Sequence, residues 1–274
     1  MSQTVQRKTH VVELSFEGRK HAFGDGRVAL IAGPCSIESR DHLRETAVGV
    51  KTAGASFLRG GIYKMRTSQS SFQGLGSDAF GFINEVKREM QMPLVSEVTD
   101  PRQISDIAAA VEMFQVGSRN MYNYELLKEL GALKKPVLLK RAFAATVDEW
   151  IKAADYVVKG GNDNVILCER GIRTFEPTTR NTLDLNSVAY LKAHTSFAVI
   201  VDPSHGTGRP ELIAPMSLAA VAAGADGLII EVHPRPTEAL SDAHQALDFA
   251  QFSRIVDQVE KVAAALGRRV GTLA

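Results

Sequence analysis

Residues 136–169, "PVLLKRAFAATVDEWIKAADYVVKGGNDNVILCE", contain the pattern on which the fold turns. A short apolar run, "PVLLK", gives way to a loop, then to "TVDEWIKAADYVVKGG" with apolar residues at helical spacing, then to a second run, "NVILCE". Runs this short, and apolar on both faces, are strands buried between layers. A helix between two of them is the crossover of a parallel pair.

The unit recurs along the chain. Further strands are predicted at "VALIAG", "SFLR", "PLVSEV", "MFQVG", "FAVIVD" and "GLIIEV". Between them, "SRDHLRETAVGVKTAG" is a helix capped by Ser39 and closed by Gly54, and "DPRQISDIAAAV" has Asp100 as N-cap with Pro101 in its first turn. In "PELIAPMSLAAVAAG", Pro215 is expected to kink the helix or limit its start. About eight such units over roughly 240 residues match a (β/α)8 TIM barrel better than a doubly wound sheet of five or six strands. Ahead of them, "THVVELSFEGRKHAFGDGR" reads as two alternating strands around Glu17 and Gly18, a β-hairpin placed to plug the lower end of the barrel. The expected organisation is a hairpin extension over residues 1–26 and a barrel catalytic domain over 27–274, with no linker or low-complexity tract between them.

The 32 Lys and Arg residues nearly balance 31 Asp and Glu among 274 residues, so no bulk charge draws the chain to nucleic acid or to an anionic membrane. Any anion site must be local. The N-terminus lacks the apolar stretch of a secretory signal, and no segment approaches the roughly 18 apolar residues of a membrane span. Two cysteines far apart, Cys35 and Cys168, make no disulfide scaffold, and a cytoplasmic location is expected.

In such a barrel the chemistry is built at the carboxyl ends of the strands. The residues at or just past those ends are Cys35, Arg59, Glu97, Arg119, Lys140, Glu169 with Arg170, His205 and Glu231, and each is a group able to bind metal, bind phosphate or move a proton. Cys35, His205, Glu231 and Asp242 form a donor set of mixed softness, suited to Zn2+, Mn2+, Fe2+ or Co2+ and poorly to Mg2+ or Ca2+. His233 and His244 compete as ligands on spacing, and Asp242 has an ordinary reading as a helix N-cap. The loop "LRGGIYKMRTSQSSFQGLG", residues 58–76, adds Lys64 and Arg66 to Arg59. With Arg119, Lys140 and Arg170 these cations converge on one cavity, which calls for a ligand carrying phosphate and carboxylate together. The bland counterpart is a salt-bridge lattice with Glu97, Glu169, Asp202 and Glu231. No glycine pattern has the context of a nucleotide-binding loop, so no nucleotide cofactor is expected.

The segments "IAGPCSIES", "LRGGIYKMRTSQSSFQGLG", "LLKRAFAATVDEW", "CERGIRTFEPTTRNTLDL", "VDPSHGTGRPELI" and "EVHPRPTEALSD" together resemble 3-deoxy-D-arabino-heptulosonate 7-phosphate (DAHP) synthases, of the short subgroup related to 3-deoxy-manno-octulosonate 8-phosphate (KDO8P) synthases. The likeness runs from about Val28 to the C-terminal helix. It implies a transferase that condenses phosphoenolpyruvate with erythrose 4-phosphate and water, releasing phosphate, in the first step of the shikimate pathway of aromatic amino acid biosynthesis. It implies one divalent transition metal on Cys35, His205, Glu231 and Asp242, to the exclusion of His233. It further implies that Arg59 and Lys64 meet the phosphoenolpyruvate carboxylate, that Arg119, Lys140 and Arg170 hold its phosphate, and that Arg66 and Thr67 receive the aldose phosphate. Lys64, Glu97 and His205 are then the catalytic candidates, with Lys64 as proton donor and Glu97 as proton acceptor, and a homotetramer or homodimer is the implied assembly. With no segment long enough for an added control domain, inhibition by single aromatic amino acids is not expected. One departure stands out: Met65 occupies the place of a proline that usually fixes φ in this loop, which loosens the placement of Arg66 and the choice of aldose. The competing readings are a synthase acting on arabinose 5-phosphate or another phosphorylated aldose, and a catalytically silent anion-binding barrel.

Overall fold

The computed structural model describes residues 8–65 and 70–271, so Arg66 and Thr67 lie outside the described residues. The chain opens with an antiparallel hairpin, β1 (Val12–Phe16) and β2 (Arg19–Phe23), turned by Glu17 and Gly18, both at positive φ. Two successive left-handed residues give the turn whose twist matches that of paired strands.

Eight parallel strands then close into a barrel: β3 (Ala29–Gly33), β4 (Phe57–Arg59), β5 (Leu94–Glu97), β6 (Met113–Val116), β7 (Val137–Lys140), β8 (Val165–Glu169), β9 (Ala198–Val201) and β10 (Gly227–Glu231), with β10 pairing back to β3. The intervening helices are α1 (Arg40–Thr52), α2 (Phe80–Met90), α3 (Ile104–Ala110), α4 (Tyr124–Gly131), α5 (Val147–Lys159), α6 (Leu185–His194), a short α7 (Pro203–Thr207), α8 (Pro210–Ala222) and α9 (Phe249–Ala265). Among the described residues, no helix is long and apolar enough to cross a membrane.

Local chemistry accounts for the boundaries. Ser39 caps α1 through His42 N, and Thr146 with Glu149 forms a capping box on α5. Asp100 accepts from Arg102 N as expected, but the first turn is a 3-10 turn, Pro101–Gln103, before α3 begins. Pro215 sits within α8 instead of starting it. Pro210 already occupies the first turn, and Pro215 forfeits one bond, to the Glu211 carbonyl, in a helix held by the burial of Ile213, Ser217, Ala220 and Val221.

Strand alternation divides the core into two shells. Outward-facing residues such as Leu58, Leu94, Leu139 and Leu228 pack under the helices. Inward-facing Ala29, Ile31, Phe57, Val95, Met113, Leu138, Ile166 and Ile229 fill the barrel, and Val12 and Phe23 of the hairpin join them from below. The Phe23 and His21 rings stand 4.8 and 5.1 Å from that of Phe57, so the hairpin closes the barrel floor. Each fully buried Leu, Ile or Phe contributes roughly 1.5–3 kcal/mol. The same two-residue period carries inward-facing Phe57, Val95, Leu138 and Ile229 to Arg59, Glu97, Lys140 and Glu231 one step higher. Thus the apolar plug and the polar mouth are successive layers of one interior.

Candidate active site

Gly33 ends β3 at φ +147°, where a Cβ would lie 2.2 Å from the Arg59 carbonyl oxygen. The bare backbone lets the Pro34–Cys35 turn press against β4 and brings the thiol over the barrel mouth. There Cys35 Sγ donates to Asp242 Oδ2 at 3.0 Å. His205 Nε2 lies 3.6 Å from Glu231 Oε2 and 3.7 Å from Asp242 Oδ2. One donor atom from each of the four residues falls within 4.8 Å of the others.

That set fits a transition ion. Edges of roughly 3.4 Å are expected between N or O ligands of a tetrahedral site, close to those found. Glu231 Oε1 is buried and has no hydrogen-bond partner, an unsatisfied acceptor of the kind a cation completes. Asp242 is not the side-chain cap of a helix: it sits at φ +54° with no capping bond, its carboxylate turned to Cys35, while Asp248 caps α9.

His233 goes elsewhere. It gathers with Glu38 and His42 in a second group whose donor atoms also lie within 4.8 Å of one another. Its Nδ1 accepts from Arg235 N at 3.0 Å, so the proton of the neutral ring is on Nε2, facing Glu38 Oε1 at 3.5 Å. A ring so bound presents a donor and not a lone pair. His244 belongs to neither group.

Asp202, wholly buried, organises the other side. It caps α7 by accepting from His205 N at 2.9 Å, and its Oδ2 lies 2.9 Å from His205 Nδ1 and 2.5 Å from Lys140 Nζ. A carboxylate behind a histidine fixes which ring nitrogen faces the cluster. Burial alone would lower the His205 pKa, but Asp202 outweighs it and raises the imidazole to about 9. Asp202 is held well below the usual carboxylate range, its burial outweighed by His205 and Lys140.

Lys64 Nζ donates to Glu97 Oε2 at 2.8 Å, and Gly117 leaves the room Glu97 needs, since a Cβ there would meet Glu97 Oε1 at 2.1 Å. Burial would lower Lys64, yet Cys35 and Glu97 hold it above its ordinary value. Glu97 in turn stays low because Lys64 outweighs its own burial. Arg59 Nη1 lies 3.5 Å from Glu231 Oε2. A salt-bridge lattice therefore exists in part, joining Lys64 to Glu97, Lys140 to Asp202 and Arg59 to Glu231.

Glu169 does not face the cavity. Cys168 is the inward residue of β8, so Glu169 turns outward to Arg141 Nη1 at 3.0 Å, Ser187 Oγ at 3.2 Å and Gly171 N at 2.7 Å. There it braces the strand end from which Arg170 projects inward. Arg170 is buried, with its guanidinium 4.7 Å from the Phe143 ring centroid, and burial lowers its pKa to about 10. Arg119 and Arg173 stand 5.5 and 4.8 Å from the same ring. Lys64, Glu97, Arg119, Lys140, Phe143, Arg170, Arg180, His205 and Asp242 line one cavity at the mouth. Sequence reading did not single out Phe143, Arg180 or Gln245; the first is the only one adjacent to a strand end, three residues past β7.

Comparison with known proteins assigns the chain to a family. The model of the DAHP synthetase I family matches residues 9–267. Phospho-2-dehydro-3-deoxyheptonate aldolase of Thermotoga maritima is 44% identical over 266 residues, covering 97% of this chain and 79% of the relative. 2-Dehydro-3-deoxyphosphooctonate aldolase of Nitrobacter hamburgensis is 30% identical over 255 residues, covering 85% and 88%. The crystal structure of the Thermotoga maritima DAHP synthase has a TM-score of 0.90 at 42% identity, covering 96% of this chain and 76% of that one. A truncated form of the same synthase gives 0.87 at 40% identity, covering 96% and 95%.

Proposed function

We infer that this chain, which belongs to the DAHP synthetase I family, condenses phosphoenolpyruvate with erythrose 4-phosphate and water to give DAHP and phosphate. The observation that carries the reading is the junction of the Cys35, His205, Glu231 and Asp242 cluster with a cavity walled by Lys64, Arg119, Lys140 and Arg170. Neither half alone distinguishes a synthase from an anion-binding barrel.

The four donors would hold one divalent transition ion, with Mn2+, Zn2+, Fe2+ and Co2+ the candidates, and the ion when bound supplies Lewis acidity toward the aldehyde oxygen. Arg59 and Lys64 take the phosphoenolpyruvate carboxylate, and Arg119, Lys140 and Arg170 its phosphate. The buried Arg170, stacked on Phe143 with no carboxylate at ion-pair distance among the described residues, is suited to an incoming anion. Arg66 and Thr67 complete the proposal as the aldose phosphate contacts.

Carbon–carbon bond formation joins C3 of phosphoenolpyruvate to the aldehyde carbon, and Lys64 gives the new oxyanion its proton. C2 is left electron-poor. Water adds there, losing a proton to Glu97, which Lys64 keeps ionised, and the resulting hemiketal phosphate breaks its C–O bond to release phosphate. The cationic walls offset repulsion between two anionic substrates and hold the reacting carbons near each other. The same reading includes a cytoplasmic dimer or tetramer, which sedimentation velocity tests.

The 30% identical phosphooctonate relative keeps one alternative in view, a longer aldose as acceptor. Phosphate release measured with erythrose 4-phosphate and with arabinose 5-phosphate decides between them. The expected result is turnover with the first at least tenfold above the second, and the reverse order overturns the assignment.

A further inference from the structure

Arg180 and Gln245 stand directly behind the two carboxylates of the donor cluster. Gln245, three residues past Asp242, is wholly buried, and its Nε2 donates to Glu231 Oε2 at 2.8 Å. Its Oε1 accepts from Arg180 Nη1 at 2.6 Å. The same Nη1 lies 3.5 Å from Asp242 Oδ1. One guanidinium nitrogen thus reaches both carboxylates, Asp242 directly and Glu231 through the amide.

The oxygens left over are the informative ones. Glu231 Oε1 has no partner, and Asp242 Oδ2 faces Cys35 Sγ and His205 Nε2. Asp242 is held from behind at Oδ1 and turns Oδ2 to the cluster, while Gln245 fixes Glu231 through Oε2, the oxygen 3.6 Å from His205 Nε2, so both carboxylates are oriented from outside the donor set. The amide has a single workable orientation. Reversed, it would set its N–H against the guanidinium and its oxygen against the carboxylate.

Arg180 itself is fixed by backbone. Its N–H donates to Thr207 O at 2.8 Å, Asn181 N to Gly206 O at 3.0 Å, and Asn181 Nδ2 to His205 O at 3.0 Å, so the segment lies along α7 beside the histidine. Gly208 leaves the space its stem occupies, where a Cβ would come within 2.6 Å of Arg180 Cβ.

We propose that Arg180 and Gln245 are positioning residues that set Glu231 and Asp242 for a divalent cation, so that the connection between β8 and α6 governs metal affinity across the barrel mouth. The proposal rests on the metal reading above. It also has a sign of its own, because a cation this close repels a divalent ion: if Arg180 acted only through its charge, removing it would tighten metal binding.

The test titrates chelator-stripped, full-length protein with Zn2+ alone against a chromophoric chelator. Arg180→Ala and Gln245→Ala are each expected to weaken Zn2+ binding about 10- to 100-fold. The double variant should lose less than the product of the two single losses, because Arg180 reaches Glu231 only through Gln245. Arg180→Lys, which keeps a donor, should recover part of the loss. Wild-type or tighter binding by Arg180→Ala, or losses that simply multiply in the double variant, would overturn the relay. Because Gln245 is buried, the partly exposed Arg180 carries the test if Gln245→Ala fails to fold. Cys35→Ala separates the two claims: if it too binds Zn2+ like wild type, the metal reading fails and not the relay alone.

Discussion

Lys140 ends β7 with its Nζ 2.5 Å from the carboxylate of Asp202, inside the barrel mouth where both side chains are almost fully buried. The pair lends the cavity a cation without leaving it uncompensated, and the same carboxylate lies 2.9 Å from His205 Nδ1. Asp202→Asn keeps the shape and removes the charge. Breaking a buried pair in this way costs about 3–5 kcal/mol, so the urea midpoint should fall sharply. Zn2+ affinity, compared above pH 9 where the wild-type ring is neutral as well, should drop as His205 loses its support. Unchanged stability and unchanged affinity would show that Asp202 is passive.

His205 predicts a pH dependence of metal uptake. In the metal-free protein its pKa stands at about 9, so the ring is charged at neutral pH, and a metal ligand must be neutral. Binding therefore expels a proton from His205 besides the one that the Cys35 thiol must lose as a ligand, and Zn2+ affinity should climb as pH rises from 7 toward 9, by about tenfold per unit for each proton displaced. Calorimetry in buffers of different ionisation enthalpy reads the proton release. Release of the thiol proton alone at pH 7 contradicts the geometry around Asp202.

Period-two alternation made much of the site readable. Once "SFLR", "PLVSEV", "PVLLK" and "GLIIEV" are strands, Arg59, Glu97, Lys140 and Glu231 share the inward face of their apolar neighbours. Applied more strictly, that parity separates Glu169, which faces out, from Arg170, which faces in. Arg180 and Gln245 were out of reach because they come from connections with no period, placed by backbone bonds to Thr207, Gly206 and Glu231 that a sequence does not display. His233, two residues past Glu231, competes on spacing alone; in the fold its ring gathers with Glu38 and His42 and is bound by Arg235 N, contacts that the spacing does not display.

Phe143 offers a test of how Arg119 and Arg170, proposed above as phosphate contacts, are held. Three guanidiniums, from Arg119, Arg170 and Arg173, lie 4.7–5.5 Å from its ring, and an aromatic face attracts each cation by about 0.5–2 kcal/mol. Phe143→Leu keeps most of the bulk and loses the face. KM for phosphoenolpyruvate should rise roughly three- to thirtyfold with a smaller change in kcat, the split expected when substrate binding is weakened more than the chemical step. An equal fall in kcat with KM unmoved would place the ring elsewhere in the reaction.

His21 ties acid stability to the barrel floor. The ring is buried against Phe57 with neither nitrogen hydrogen-bonded, and burial, aided by Arg19, lowers its pKa. For a histidine with a depressed folded pKa, the neutral ring's contribution is fully present above the unfolded value of about 6.5 and is lost as pH falls toward the folded one. His21→Phe keeps an aromatic plug and has nothing to protonate. Between pH 7 and pH 5, the urea midpoint of the wild type should therefore fall further than that of the variant. Parallel pH profiles would mean that the His21 ring gains a partner when charged and that the plug is indifferent to acid.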